Sequence, residues 1–342
     1  MTLRFGMIGC GEITSKRRAE QIDRAEGTEL QLAMDIEEWA AKDIGQRFDI
    51  EYTTDEREVL SDPDVDAVYI STPHHLHAEQ TIRAADAGKH VVVEKPIATA
   101  VADGREMIDA CEAAGVGLTV PLARFTPTAE AARLLVEEGL IGSVVGTRIS
   151  SLARKPDSYW TGGYTGRVPS DWRKSATESG GGILVMNSIH AIDRFRYVTG
   201  LTERRVYAEA DTFVTDVEVE DFVCVTIRYD NGAIGSIEGS SFANAGADGG
   251  PYDRIYGERG TIVLSDPIRV NTTEPTRLGD GGTWHDVEPQ PVERNIFERF
   301  ASAVVAEEEM PIPPIDALRD LAVVRAAYQA AEDGAPAEIS IQ

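Results

Sequence analysis

The chain is short of positive charge. Its 342 residues carry 33 Lys and Arg against 58 Asp and Glu, a formal net charge of −25, and its lysines are Lys16, Lys42, Lys89, Lys95, Lys155 and Lys174. A phosphate backbone is bound through Lys and Arg clusters, so this balance argues against nucleic acid as a partner. The acids are spread along the chain, as on the hydrated surface of a protein in a salt-adapted cytoplasm. A high-GC codon bias is the plain alternative for the preference for arginine. Cysteine is scarce too: Cys10, Cys111 and Cys224 lie far apart in sequence, which gives neither a disulfide framework nor a Cys-x-x-Cys metal knuckle. No run approaches the ~18 uncharged apolar residues of a membrane span. The stretch MTLRFGMIGCGE lacks the charged start, long apolar middle and cleavage site of a secretory leader. The expectation is a cytoplasmic protein with no membrane partner.

What is present is a length that exceeds the usual reach of one hydrophobic core, so two domains are expected. The first 120 residues alternate apolar runs (LRFGMIG, TELQLAMD, IEYTT, DAVYIST, KHVVVE, VGLTV) with helical patterns such as IEEWAAKDIGQRF and ADGREMIDACEAAG. Near-continuous apolar strands separated by helices predict a doubly wound parallel α/β sheet over residues 1–121. After Pro121 the rhythm changes to a helix, a strand, a loop rich in Gly, Tyr and Trp, another helix, and then mostly strands, with Asp230-Asn231-Gly232 as a hairpin turn and a final helix DALRDLAVVRAAYQAAEDG. Residues 122–342 are expected to form an α+β domain with a large open, mostly antiparallel sheet. No repeat or low-complexity linker interrupts the chain.

Between the first strand and first helix stands MIGCGEIT. Gly9 permits a tight turn, and Gly11 lets the N–H groups of the helix N-terminus, around Glu12 and Ile13, approach a pyrophosphate. The third small residue of the dinucleotide pattern is replaced by Thr14, which is expected to loosen the packing of the helix on the strand. The second strand ends at Asp35, near the spacing of an acid that accepts hydrogen bonds from a ribose. An acid there repels a 2′-phosphate, and Ile36 offers no positive group to receive one, so NAD is expected rather than NADP.

The run GKHVVVEKPIA ends an apolar strand with Glu94, Lys95 and Pro96. Charges at the edge of a core are costly unless paired or used. As the fifth strand, this run brings Lys95 to the carboxyl edge of the sheet, where ligands bind in open α/β folds. Proline restricts Lys95 to an extended conformation and allows a cis Lys95–Pro96 bond. A lysine aimed into a cleft beside a cationic nicotinamide has its charged form disfavoured, which moves its pKa toward the range of proton transfer.

The motifs IGCGEI, STPHHLHAEQTIRAADAGKHVVVEKP, Ser170-Asp171-Trp172-Arg173, SGGGILVMNSIHAID and GERGTI occur in that order over nearly the whole chain. In them the sequence resembles the Gfo/Idh/MocA family of oxidoreductases. The resemblance implies an NAD(P)-dependent dehydrogenase of sugars or cyclitols, with an N-terminal Rossmann domain and a C-terminal domain for substrate binding and oligomerisation; the exposed face of a large antiparallel sheet needs covering, so a homodimer or homotetramer is expected. It implies catalytic roles for Lys95, which contacts substrate hydroxyl and nicotinamide, and His190, which exchanges the substrate proton. It further implies a cofactor loop of Ser71, Thr72, Pro73, His75 and His77, with Glu94, Trp172 and Arg173 nearby. Met186 stands where the family often has an aspartate. Asn187 is expected to share a helix face with His190; because an amide cannot relay a proton, either His190 works with Lys95 alone or Asn187 only orients the substrate, and Gly180-Gly181-Gly182 is expected to let the backbone pass close to it.

Remaining residues admit two readings each. Arg124, Tyr159, Tyr164 and Arg173 fit a polyol pocket, with aromatic faces on C–H groups and arginine donors on hydroxyls; the aromatic loop SYWTGGYTGRVPSDWR fits a dimer contact as well. Asp193 can orient the His190 ring or pair with Arg194 or Arg196. His74, His75 and His77 cluster in a strand-to-helix loop without further ligands at metal spacing, and no metal is expected. The function expected is oxidation of a sugar or cyclitol hydroxyl by hydride transfer to NAD. The rivals are glycoside cleavage through transient oxidation, and a non-catalytic sugar sensor.

Overall fold

The computed structural model describes residues 2–243 and 253–341. Its first sheet contains β1 (Leu3–Ile8), β2 (Thr28–Met34), β3 (Glu51–Thr53), β4 (Ala67–Ile70), β5 (His90–Val93) and β6 (Leu118–Thr119), all parallel in the order β3-β2-β1-β4-β5-β6. The apolar runs form strands because helices cover both faces: every residue of β4 is buried, as are Val91, Val92 and Val93. The crossings are made by a π-helical turn Thr14–Arg18 leading into α1 (Ala19–Asp23), then α2 (Glu38–Phe48), α3 (Glu56–Ser61), α4 (His77–Asp86) and α5 (Val101–Ala114). Strand order reverses direction between β1 and β4, which opens a crevice at their carboxyl ends.

The second domain begins with α6 (Pro127–Glu137), whose first turn is capped by the Thr126 hydroxyl accepting from the Ala129 N–H at 3.2 Å. Then come β7 (Val144–Leu152), α7 (Asp157–Gly162), α8 (Ala176–Ser179), a π-helical turn Leu184–Ser188 and α9 (Ile189–Thr199). The strands β8 (Glu203–Asp211), β9 (Phe222–Tyr229), β10 (Ile234–Ser240), β11 (Arg254–Gly257), β12 (Gly260–Val263), β13 (Ile268–Thr272), β14 (Trp284–Val287) and β15 (Ala337–Glu338) complete a nine-stranded sheet with β7. The sheet is antiparallel except for the β7–β10 pair. Strand β9 alternates as a one-sided sheet requires, with Val223, Val225, Ile227 and Tyr229 inside and Cys224, Thr226 and Arg228 outside. The Asp-Asn-Gly turn joins β9 to β10, with Gly232 at φ +88°. The stretch DRIYGERGTIVLS folds back on itself as the β11–β12 hairpin.

Two helices link the domains. α10 (Ile296–Ala306) turns back to the first sheet, where the Phe297 ring meets Phe5 edge-on at 5.9 Å and Tyr69 at 5.6 Å. α11 (Pro314–Asp333) belongs to both cores: Ala317, Leu318 and Leu321 pack in the first, Val323, Val324 and Ala327 in the second. Its length spans the junction that frames the cleft between the domains.

Candidate active site

The cleft runs along the carboxyl edge of the first sheet and has a cavity volume of about 900 Å³. At one end lies the turn after β1. Gly9 has φ +100°, and a side-chain carbon there would stand 2.5 Å from the Ser71 carbonyl oxygen, so only glycine fits. At Gly11 a side-chain carbon would meet nothing within 4 Å: the position faces the open cleft at the helix N-terminus, a cradle for an anionic pyrophosphate. Thr14 corrects one expectation. It is fully buried and its hydroxyl donates to the Gly9 carbonyl at 2.8 Å, so it ties the helix to the turn instead of loosening it.

Asp35 is buried, and its carboxylate accepts from the backbone N–H groups of Cys10 at 2.7 Å and Glu37 at 2.9 Å. Each carboxylate oxygen keeps a further acceptor site for a ribose hydroxyl. Ile36 beside it is 81 % exposed on the rim. Ser71, Thr72, Pro73, Glu12 and Ile13 line the same end, so the residues present fit an NAD molecule laid along this edge.

At the other end, β5 delivers Glu94 and Lys95. Glu94 is buried and accepts from Arg18 Nε at 2.7 Å and the Tyr69 hydroxyl at 3.0 Å. Burial works to raise its carboxyl, but Arg18 and Lys95 outweigh it and hold the pKa below the usual glutamate value. Lys95 follows through a cis bond to Pro96. Its ammonium donates to the Met186 carbonyl at 2.6 Å, a contact that joins the first sheet to the π turn of the second domain. Burial pushes the amine down to about 8, against the opposing pull of Glu94. His190, at the start of α9, is pushed down to about 3 by burial and then by the charge of Lys95, and its Nδ1 is buried without a hydrogen-bond partner. The imidazole is therefore neutral at ordinary pH. Asn187 lines the cleft with His190, although a π turn and not a regular helix carries it there.

The aromatic loop closes the cleft from the second domain. The Tyr164 N–H donates to Glu12 at 2.7 Å, and Arg167 Nε donates to the Cys10 carbonyl at 3.0 Å, so the loop is tied to the edge of the first sheet. Tyr159, Tyr164, Trp172 and Arg173 all line the cavity, with the Arg173 guanidinium over the rings of Trp172 at 4.4 Å and Tyr159 at 5.2 Å. Trp172 in turn packs on His74 at 4.4 Å.

Several expected residues lie elsewhere. Arg124 is buried and does not line the cleft, because Asp193 and Asp316 claim its guanidinium, the latter at 3.0 Å. Asp193 thus pairs with Arg124, while Arg194 pairs with Asp253 and Arg196 with Glu203 and Asp320. His77 is fully buried, with Nδ1 2.8 Å from the Pro96 carbonyl and Nε2 3.1 Å from that of Thr72; it braces the loop from behind. His75 is exposed and away from the cleft, and His74 takes the lining position. The three glycines do not face the cavity. Added carbons at Gly180, Gly181 and Gly182 would strike Thr99, Tyr328 and Glu220, so the glycines serve close packing beneath α9. Among the described residues, no group of three or more His, Cys, Asp and Glu is placed to hold a metal ion.

Sequence reasoning missed Lys155. It follows β7, is buried, and donates to the Tyr164 hydroxyl at 2.5 Å with its ammonium over the Tyr159 ring at 4.5 Å. The available signal was a lysine just beyond a strand end in a lysine-poor chain. Phe125, Thr126, Arg17 and Ile296 also line the cavity without having been singled out.

Comparison with known proteins matches these features. A family profile described as an oxidoreductase family with an NAD-binding Rossmann fold covers residues 3–122, and one described as a GFO/IDH/MocA C-terminal domain covers residues 129–263. An uncharacterized oxidoreductase of Bacillus subtilis is 30 % identical over 346 residues, spanning 98 % of this chain and 96 % of that one. The myo-inositol 2-dehydrogenase of Thermotoga maritima is 30 % identical over 289 residues, covering 82 % of this chain and 80 % of its own. Among solved structures, a levoglucosan dehydrogenase in complex with NADH and levoglucosan superposes with a TM-score of 0.85 at 25 % identity, over 99 % of this chain and 100 % of that one.

Proposed function

From the premise that the chain belongs to the Gfo/Idh/MocA family of NAD-binding oxidoreductases, we propose that it oxidises a secondary or anomeric hydroxyl of a sugar, cyclitol or sugar derivative with NAD. The observation that carries this reading is the half-buried amine of Lys95 beside the neutral imidazole of His190, in the cleft that also contains the dinucleotide turn. Bound NAD supplies the acceptor for the carbinol hydride.

The residues then divide the work. Gly11 and the helix N-terminus receive the pyrophosphate, and Asp35 accepts from the adenosine ribose, while the apolar Ile36 side chain offers no positive group to a 2′-phosphate. The substrate lies between β5 and the π turn before α9, against Tyr159, Tyr164 and Asn187. Lys95, whose pKa of about 8 lies nearest the working pH, accepts the hydroxyl proton as the hydride leaves. Its new positive charge then faces the carbonyl oxygen that forms. His190 remains neutral and hydrogen-bonds the same oxygen, fixing its direction. Where an aspartate would recharge the imidazole, this chain has Met186, which offers Lys95 its backbone carbonyl.

The domain roles follow the same reading: residues 1–121 bind NAD, and residues 122–342 bind substrate and carry the oligomer contact. The outer face of the nine-stranded sheet, with Tyr207, Cys224, Thr226 and Arg228 exposed, is the surface we assign to a homodimer or homotetramer. Relatives named for myo-inositol and levoglucosan set the substrate range to screen. A panel of inositols, aldoses and anhydrosugars followed by NADH fluorescence tests the proposal. Net NADH release with one class supports dehydrogenation, bond cleavage without NADH points to the elimination chemistry, and no turnover despite NAD binding rejects both.

A further inference from the structure

Positive charge is distributed unevenly in this acidic chain. Of the cations lining the cleft, Lys16 is paired with Glu12 and Arg18 with Glu94, while Arg17 is exposed to water. Lys95, Lys155 and Arg173 differ. Lys95 meets the Met186 carbonyl, Lys155 meets the Tyr164 hydroxyl, and Arg173 lies over the faces of Trp172 and Tyr159. Among the described residues, none of these three forms an ion pair with a carboxylate. Lys155 and Arg173 approach the same ring, Tyr159, at 4.5 and 5.2 Å, so two cations converge on one wall of the cavity. Burial, and then the charges of Lys95 and Arg173, push Lys155 down to about 8. Lys155 and Arg173 are like charges on one partly desolvated wall and repel one another, and an anion between them would relieve that repulsion.

The cofactor does not supply that anion under the reading above, on which this inference rests. Its pyrophosphate is drawn to Gly11 and the N–H groups of the helix N-terminus, and its oxidised nicotinamide adds a further positive charge beside Lys95. A neutral polyol would leave Lys155 and Arg173 without a carboxylate or phosphate partner.

We infer that the substrate is a sugar bearing an anionic oxygen group, a carboxylate or a phosphate, held by Lys155 and Arg173 against the Tyr159 ring while Lys95 and His190 address the hydroxyl to be oxidised. Arginine and lysine suit this task, since charge-assisted hydrogen bonds to oxyanions are shorter and stronger than those to hydroxyls.

The test compares D-glucose, D-glucuronate and D-glucose 6-phosphate, with D-galactose and D-galacturonate as a second pair. Binding to the NADH-loaded protein is measured by calorimetry, and NADH production with NAD is measured separately. The inference expects at least one anionic member to bind about tenfold or more tightly than its neutral counterpart. The acid and phosphate arms tell which group is read. Lys155→Met should abolish that preference and Lys155→Arg should keep it; if neither variant folds, the comparison in the unaltered protein decides alone. Equal affinity for neutral and anionic members, or a preference that survives Lys155→Met in a folded protein, overturns the inference. Turnover of neutral sugars with no anionic preference leaves the dehydrogenase reading standing. An anionic preference without NADH formation from any sugar keeps the subsite and removes the dehydrogenase.

Discussion

The Lys95 ammonium donates to the carbonyl oxygen of Met186 at 2.6 Å. This bond fixes the end of a strand in one domain to the turn that presents Asn187 and His190 from the other, so the groups proposed to handle the proton are held on one cleft. It also uses the backbone of Met186, which stands where the family resemblance implies an aspartate. The amine retains two further N–H directions, enough to reach a substrate oxygen without giving up its anchor.

The pH profile of oxidation separates the two candidate proton acceptors. If Lys95 is the base it acts in its neutral form, so at saturating NAD the value of kcat/KM rises with pH, reaches half its limit at or below about pH 8 and levels off above that midpoint. His190, neutral above about 3, contributes no inflection in the neutral range. Lys95→Arg, permanently charged, should lose the rising limb. Steady-state rates between pH 5 and 10 give the answer.

Gly9 and Gly11 should fail differently. In Gly9→Ala the new methyl group meets the Ser71 carbonyl at a φ of +100°, and a loss of about 1–3 kcal/mol of stability is expected by denaturant titration. In Gly11→Val the side chain enters open space, so stability should change by less than about 0.5 kcal/mol. NAD affinity should nevertheless fall by about tenfold or more, because the methyl groups occupy the pyrophosphate cradle.

The proposed cofactor preference rests on Asp35 and Ile36. Replacing both, Asp35→Ser with Ile36→Arg, removes the repelling carboxylate and adds a cation for a 2′-phosphate. The ratio of NADP to NAD affinity should rise by roughly 10- to 100-fold, read by fluorescence titration of the reduced cofactors.

Arg18 and Glu94 test the foundation beneath Lys95. Arg18→Met leaves a buried carboxylate without its guanidinium and should cost about 3–5 kcal/mol. Because the folded-state pKa of Glu94 lies below its ordinary value of 4.5, its contribution is full above that pH and is lost as the pH falls through the folded value. The parent should therefore lose more stability on acidification from pH 6 to pH 4 than Arg18→Met does, since the variant has already lost the pair.

Much of this arrangement was legible in the sequence because the signals were local. KHVVVEKP carries its own strand and its own exit, and MIGCGE followed by Asp35 sets a turn and an acid at a spacing the parallel sheet dictates. What escaped depended on distant contacts. Phe297 and Phe300 lie in a stretch with an ordinary amphipathic pattern, and nothing local says that they return nearly 300 residues later to the first core. Arg124 reads as a free donor until Asp193 and Asp316 are found around it. Lys155 is one unremarked lysine until β7 and the aromatic loop bring it to the cavity, and His77 resembles a ligand-facing residue until both ring nitrogens are found against carbonyls.

The most direct test of the account is Lys95→Ala, assayed for NAD binding and for NADH formation on the best substrate of the panel. The account predicts NAD affinity within a few-fold of the parent and a kcat lower by about 10²–10⁴. Near-parental turnover in a variant that binds NAD would contradict it.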